Sequence, residues 1–87
     1  MADVHLPPTL PSLYADLPRQ LEVEAGTVDE VIDHLDERWP GLRDRLCEPG
    51  PALRTHINVY VDRERAGLDT PLGSGSRVDV IAAISGG

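Results

Sequence analysis

The sequence predicts an α+β fold: a mixed sheet of four to five strands with one main helix packed on one face. Three observations carry this. Runs that alternate polar and apolar residues stand near both ends of the chain and past its centre. One long amphipathic stretch lies between them. The segment that would have to supply a second long helix, residues 7–19, holds Pro7, Pro8, Pro11 and Pro18, and proline lacks the backbone donor that helices and central strands require.

Each element follows in order. Asp3-Val4-His5-Leu6 alternates and reads as a short strand with one buried face. Residues 7–19 read as a loop with a turn near Ser12-Leu13-Tyr14-Ala15. Gln20-Leu21-Glu22-Val23-Glu24 alternates again, which gives a second strand and a hairpin with the first. Ala25-Gly26 breaks that strand, and Thr27-Val28-Asp29-Glu30 has the form of a capping box at the start of a helix. Asp29 and Glu30 also suit the positive end of the helix dipole. Val28, Val31, Ile32, Leu35 and Trp39 recur at helical spacing. Pro40-Gly41 ends the helix, and Leu42 and Leu46 suit a short second turn that ends near Cys47.

The second half continues the pattern. Glu48-Pro49-Gly50-Pro51 reads as a loop, and His56-Ile57-Asn58-Val59-Tyr60-Val61 as a strand with Ile57, Val59 and Val61 on one face. Residues 62–67 read as a charged turn, Leu68 to Leu72 as a short edge strand limited by Pro71, and Gly73-Ser74-Gly75-Ser76 as a tight turn. The last strand runs from about Arg77 to Ala83. With one long helix to cover one face, the first and last strands should lie parallel at the sheet centre. That is the β-grasp arrangement; a ferredoxin-like fold would need a second long helix.

Size and charge bound the function. Eighty-seven residues make one domain, which buries only about 60% of the surface of its unfolded chain. Such a body has no room for a catalytic pocket plus a cofactor domain. Phe is absent and aromatics total 3%, so Leu, Val, Ile and Ala must fill the core. Fifteen acids against eight bases give a formal charge of −7, which repels phosphates and anionic lipid and argues against nucleic-acid and membrane partners. Cys47 is the only cysteine, so no internal disulfide forms, which fits a cytoplasmic location.

The end of the sequence is the most informative part. A core-type strand is followed almost at once by Gly86-Gly87. Glycine lacks Cβ and permits close backbone approach. We expect residues 1–83 to form the domain and residues 84–87 a flexible tail. Extended, four residues reach roughly 13–14 Å, enough to place Gly87 inside another protein's active site.

The capped helix from Thr27 to Trp39, the strand Ile57-Asn58-Val59-Tyr60-Val61, the Gly-containing turn before the last strand and the terminal Gly86-Gly87 together resemble the ThiS/MoaD family of ubiquitin-like sulfur carriers. Arg45-Leu46-Cys47-Glu48-Pro49, with Ile57 through Asp62, is most similar to the actinobacterial branch, which includes the carrier for cysteine biosynthesis. The resemblance implies a carrier rather than an enzyme. An E1-like adenylyltransferase would use ATP to adenylate the Gly87 carboxylate, and a sulfur donor protein would convert it to a thiocarboxylate. A sulfur-accepting synthase would then take the sulfur. A C-terminal processing metalloprotease is a further partner that the family suggests. The chain itself would bind no cofactor. Ile84, Ser85 and Gly86 would thread the partner's slot.

Alternation in the last strand assigns the docking face. Val78 and Val80 should point toward the helix, Asp79 and Ile81 to the open face of the sheet. Ile81, with Ala83 and Tyr60, is the expected docking patch, since the family meets its partners through this face. Cys47 has no evident base or helix N-terminus to lower its pKa and reads as a packed structural thiol. His34 with Asp33 or Glu37 reads as a solvated helix face, and no metal site is expected. A protein modifier ligated through Gly87 and a non-catalytic interaction module are the alternatives. The product could be cysteine, molybdopterin, thiamin thiazole or a sulfur-bearing natural product.

Overall fold

A computed structural model describes residues 1–8, 10, 14–50 and 52–82. Among these described residues seven strands and two helices follow one another: β1 (Ala2–His5), β2 (Gln20–Val23), α1 (Val28–Arg38), α2 (Leu42–Leu46), β3 (Cys47–Glu48), β4 (Ala52–Leu53), β5 (Ile57–Val61), β6 (Glu64–Ala66) and β7 (Arg77–Ala82). Five of the strands form one mixed sheet in the order β2-β1-β7-β5-β6. β1 and β7 are parallel at its centre, with Val4 beside Val78. β1 pairs antiparallel with β2, and β7 with β5. This is the expected β-grasp sheet with α1 across one face.

The core sits between that face and α1. Val28, Val31, Ile32 and Leu35 are each 1% exposed, and they meet Val4, Val59, Val78 and Val80 in a single buried cluster. Tertiary packing of this apolar stripe, more than helix propensity, holds an 11-residue helix. The start of α1 is capped as its sequence implies: the Thr27 hydroxyl accepts from the Glu30 amide at 3.2 Å. Glu30 reaches back one residue further than a capping box requires, to the Gly26 amide at 3.0 Å. The Val28 and Asp29 amides, which no helix can satisfy internally, donate to the carbonyls of Thr70 and Leu68.

Three details differ from expectation. The Asp62–Gly67 segment is not only a turn. Asp62 (φ 50) and Arg63 (φ 72) form a tight left-handed corner, and Glu64–Ala66 turns back on β5 as the edge strand β6. The Asp62 carboxylate braces that corner by accepting from the Arg77 amide at 2.9 Å. Residues 68–72 therefore do not form the edge strand. They form a loop that carries one isolated bridge, Thr27 to Pro71, and its Leu68 and Leu72 pack half-buried against the core. The expected loop around Pro49-Gly50 is the tip of a two-stranded hairpin, β3 with β4.

The short turn expected around Leu42 and Leu46 is present as α2, and to the contacts of those leucines it adds a charged link to α1. The Asp36 carboxylate accepts from the Gly41 and Arg43 amides, and Arg43 pairs with both Asp29 and Asp33 while donating to the Asp29 carbonyl. Burial alone would lower the Arg43 pKa, but the hydrogen bonds it donates to Asp33 and Asp29 outweigh it and the net shift is upward.

Candidate functional site

The open face of the sheet is built by strand alternation. In β7, Val78 and Val80 are buried while Ile81 is 46% exposed. In β5, Ile57, Val59 and Val61 are buried, which turns Asn58 and Tyr60 outward. Register sets neighbours on this face: Ile81 lies opposite Asn58, and Tyr60 opposite Asp79. Ile81 also forms, with His5, Pro7, Pro8 and Ala82, the wall of a shallow cleft of about 270 Å³. The alternation read from the sequence thus places Ile81 and Tyr60 on one face. Ala83, Ile84, Ser85, Gly86 and Gly87 lie outside the described residues.

Around this apolar spot the face is polar and internally bonded. Asp3 Oδ1 accepts from Gln20 Nε2 at 3.0 Å, and Asp3 Oδ2 hydrogen-bonds His5 Nε2 at 2.9 Å. These bonds, Gln20's first, hold the Asp3 carboxyl below its ordinary value. Arg77 makes a two-pronged contact with Asp79 through Nε and Nη2, and this hydrogen bonding raises the Arg77 pKa. Arg65 donates to Asn58 Oδ1 at 3.0 Å. Sequence reasoning did not single out Asp3, Gln20, Asn58, Arg65 or Arg77. Period-two parity along each strand could have found their shared face, but their partners depend on register between strands.

Cys47 is buried beside Leu46, and burial, ahead of the neighbouring charges, pushes its thiol pKa up. A thiol kept protonated is a poor nucleophile. Among the described residues no three His, Cys, Asp or Glu side chains converge as a metal site. No helix is long and apolar enough to cross a membrane, again among the described residues.

Comparison with known proteins bears directly on this architecture. The family model described as "ThiS family" matches residues 12–87. The sulfur carrier protein CysO of Mycobacterium tuberculosis is 28% identical over 75 residues, covering 79% of this chain and 81% of that protein. The molybdopterin synthase sulfur carrier subunit of the same organism is 34% identical over 74 residues, covering 83% and 80%. A chain in the crystal structure of the Amycolatopsis orientalis BexX/CysO complex superposes with a TM-score of 0.88 at 28% identity, over 100% of both chains. The chain belongs to the ThiS family, with sulfur carrier proteins among its relatives.

Proposed function

We propose that this protein is a sulfur carrier whose reactive group is the carboxylate of Gly87. A carboxylate is a poor electrophile, because its charge repels nucleophiles and oxide is a bad leaving group. An E1-like adenylyltransferase would join it to AMP from ATP, with release of pyrophosphate. The terminal sulfur of a persulfide on a sulfur donor protein would then attack the carbonyl carbon and displace AMP, and a thiol would cleave the S–S bond of the resulting acyl disulfide, leaving a disulfide and a thiocarboxylate. Its ionised sulfur is soft and nucleophilic, so sulfur reaches a synthase without free sulfide. The observation that carries the reading is the family match, which runs through Gly87. The chain is in this scheme a co-substrate, and ATP acts in the partner.

The folded body supports the scheme by position. β7 lies at the sheet centre, held on both sides by β1 and β5, which would give the terminal segment a base paired on both flanks. Ile84, Ser85 and Gly86 would thread the partner's slot, and Ile81, Ala83 and Tyr60 would dock outside it. Cysteine is the first product to test, because the sulfur carrier protein CysO is similar over 79% of this chain and 81% of that protein. Molybdopterin is the next, through the 34% identical carrier subunit.

The test is intact mass after incubation with an adenylyltransferase, ATP and a sulfur donor. The expected product is the chain with one oxygen replaced by sulfur. Gly86→Val should fold normally and resist activation, because its side chain would meet the slot wall. Normal adenylation of that variant would count against threading, and isopeptide remnants on other proteins' lysines would favour a modifier instead.

A further inference from the structure

β6 is shorter than the strand it covers. It pairs with Val59, Tyr60 and Val61 only, so among the described residues Ile57 and Asn58 have no strand neighbour on that side. The notch left there is a cleft of about 170 Å³, with Arg54, Thr55, Asn58 and Arg65 at its polar rim and Ile57 and Ala66 among its apolar wall. Among the described residues two arginines line it and no aspartate or glutamate does. Three larger clefts among the described residues each include an acid: Asp29 and Asp69 in one, Asp79 in another, Glu22 and Glu24 in the third. In a chain with fifteen acids and eight bases, an acid-free basic notch departs from the average surface.

Both cations are held in place yet keep unused donors. Arg54 donates Nε to the Asp44 carbonyl at 2.7 Å, and Arg65 donates Nη2 to Asn58 at 3.0 Å. Among the described residues neither forms an ion pair, whereas Arg43 and Arg77 do. A guanidinium has five N–H donors in a rigid fork that fits a carboxylate. Register places the notch at the root of the terminal segment, because Ile57 lies opposite Ala82 and Asn58 opposite Ile81.

We infer that this notch is an anion-binding site that receives a carboxylate side chain of the partner protein handling the terminus. The identification of the partner rests on the sulfur-carrier reading; the site itself does not. A nucleotide reacting at Gly87 is a poor fit for the occupant. If extended, the five residues beyond Ala82 would span roughly 17 Å, so the reacting phosphate would lie far from the root. An aspartate or glutamate on the docking surface is at the right distance. It would fix the body's orientation while Ile81 supplies the apolar contact next to it.

The site is tested first on the chain alone. Sodium acetate is titrated against sodium chloride at matched ionic strength, with the arginine Nε–H signals read by nuclear magnetic resonance. The Arg54 and Arg65 signals should move together and level off at a lower acetate concentration than those of Arg19, Arg38 and Arg63. Arg65→Gln should weaken the Arg54 response. Equal responses at all five positions would overturn the site. The partner is tested next, with an adenylyltransferase or synthase that binds the wild-type chain. Arg65→Glu should weaken binding about tenfold or more and flatten its salt dependence. Unchanged affinity would overturn the assignment of the occupant. Failure of every such enzyme to modify the wild-type chain would sink the sulfur-carrier reading, while the acetate result would still decide the notch.

Discussion

Val80 and Ile81 are adjacent in β7 and face opposite ways, so truncating each to alanine should separate folding from docking. Val80 is 5% exposed. Val80→Ala deletes two buried carbons at about 0.8 kcal/mol each and leaves a cavity, about 2–3 kcal/mol in all. For a domain of this size that lowers Tm by roughly 10–20 °C. Ile81 is already 46% exposed. Ile81→Ala deletes three carbons that are only half covered and encloses no void, so it loses about 1 kcal/mol or less and roughly 4–8 °C. In a complex the ranking should invert. An apolar anchor buried by a partner is worth more than 1 kcal/mol, so Ile81→Ala should raise KM for adenylation about tenfold with kcat little changed. Thermal denaturation followed by Trp39 fluorescence and ATP–pyrophosphate exchange measure the two effects. The reasoning is refuted if Ile81→Ala destabilises as much as Val80→Ala, or if its KM matches wild type.

Further outcomes follow from other contacts. The Trp39 indole N–H donates to Asp16 Oδ1 at 2.9 Å, so Asp16→Ala should leave a buried donor unpaired. We expect a loss of about 1–2 kcal/mol and a shift in the emission of the only tryptophan. Arg43→Ala should loosen α2 from α1, with faster amide exchange over Leu42–Leu46 than elsewhere and a loss of about 1–2 kcal/mol, because the pair is partly exposed. The Asp3 carboxyl is held low by Gln20 and then His5. It therefore stabilises the fold above its unfolded pKa, and that contribution fades as pH falls through the lower folded value. The Tm deficit of Asp3→Asn at pH 7 should accordingly shrink below about pH 4. The Cys47 thiol, raised by burial, should react slowly with iodoacetamide at about pH 8 in the native state and quickly in denaturant.

Much of the fold was legible because its signals are local. Thr27 and Glu30 mark a helix start through contacts only a few residues apart, and the spacing of Val28, Val31, Ile32 and Leu35 states which face is buried. The alternation Arg77-Val78-Asp79-Val80-Ile81 gives the inward and outward sides of β7 in the same way. β6 was missed because its corner is Asp62-Arg63 rather than a glycine-bearing pair, and Glu64-Arg65 carries no apolar alternation. Its existence depends on pairing with β5 and on the Asp62 bond to Arg77, fifteen residues away. Trp39 was legible as core, but its Asp16 partner was not, since nothing in either neighbourhood encodes a contact across the proline-rich loop. The basic notch is the same kind of case. It exists only because one strand stops two residues short of another.

The central position of β7 has a mechanical consequence. A partner that draws the terminus into a slot pulls along the axis of this strand, with β1 and β5 gripping it on either side. Force in that direction slides the strand lengthwise, so the ladder bonds on both flanks strain together instead of unzipping one after another. Resistance to such traction is governed by the unfolding rate rather than by equilibrium stability. A small body that is modest in free energy can therefore remain intact while its end is hauled through a narrow channel.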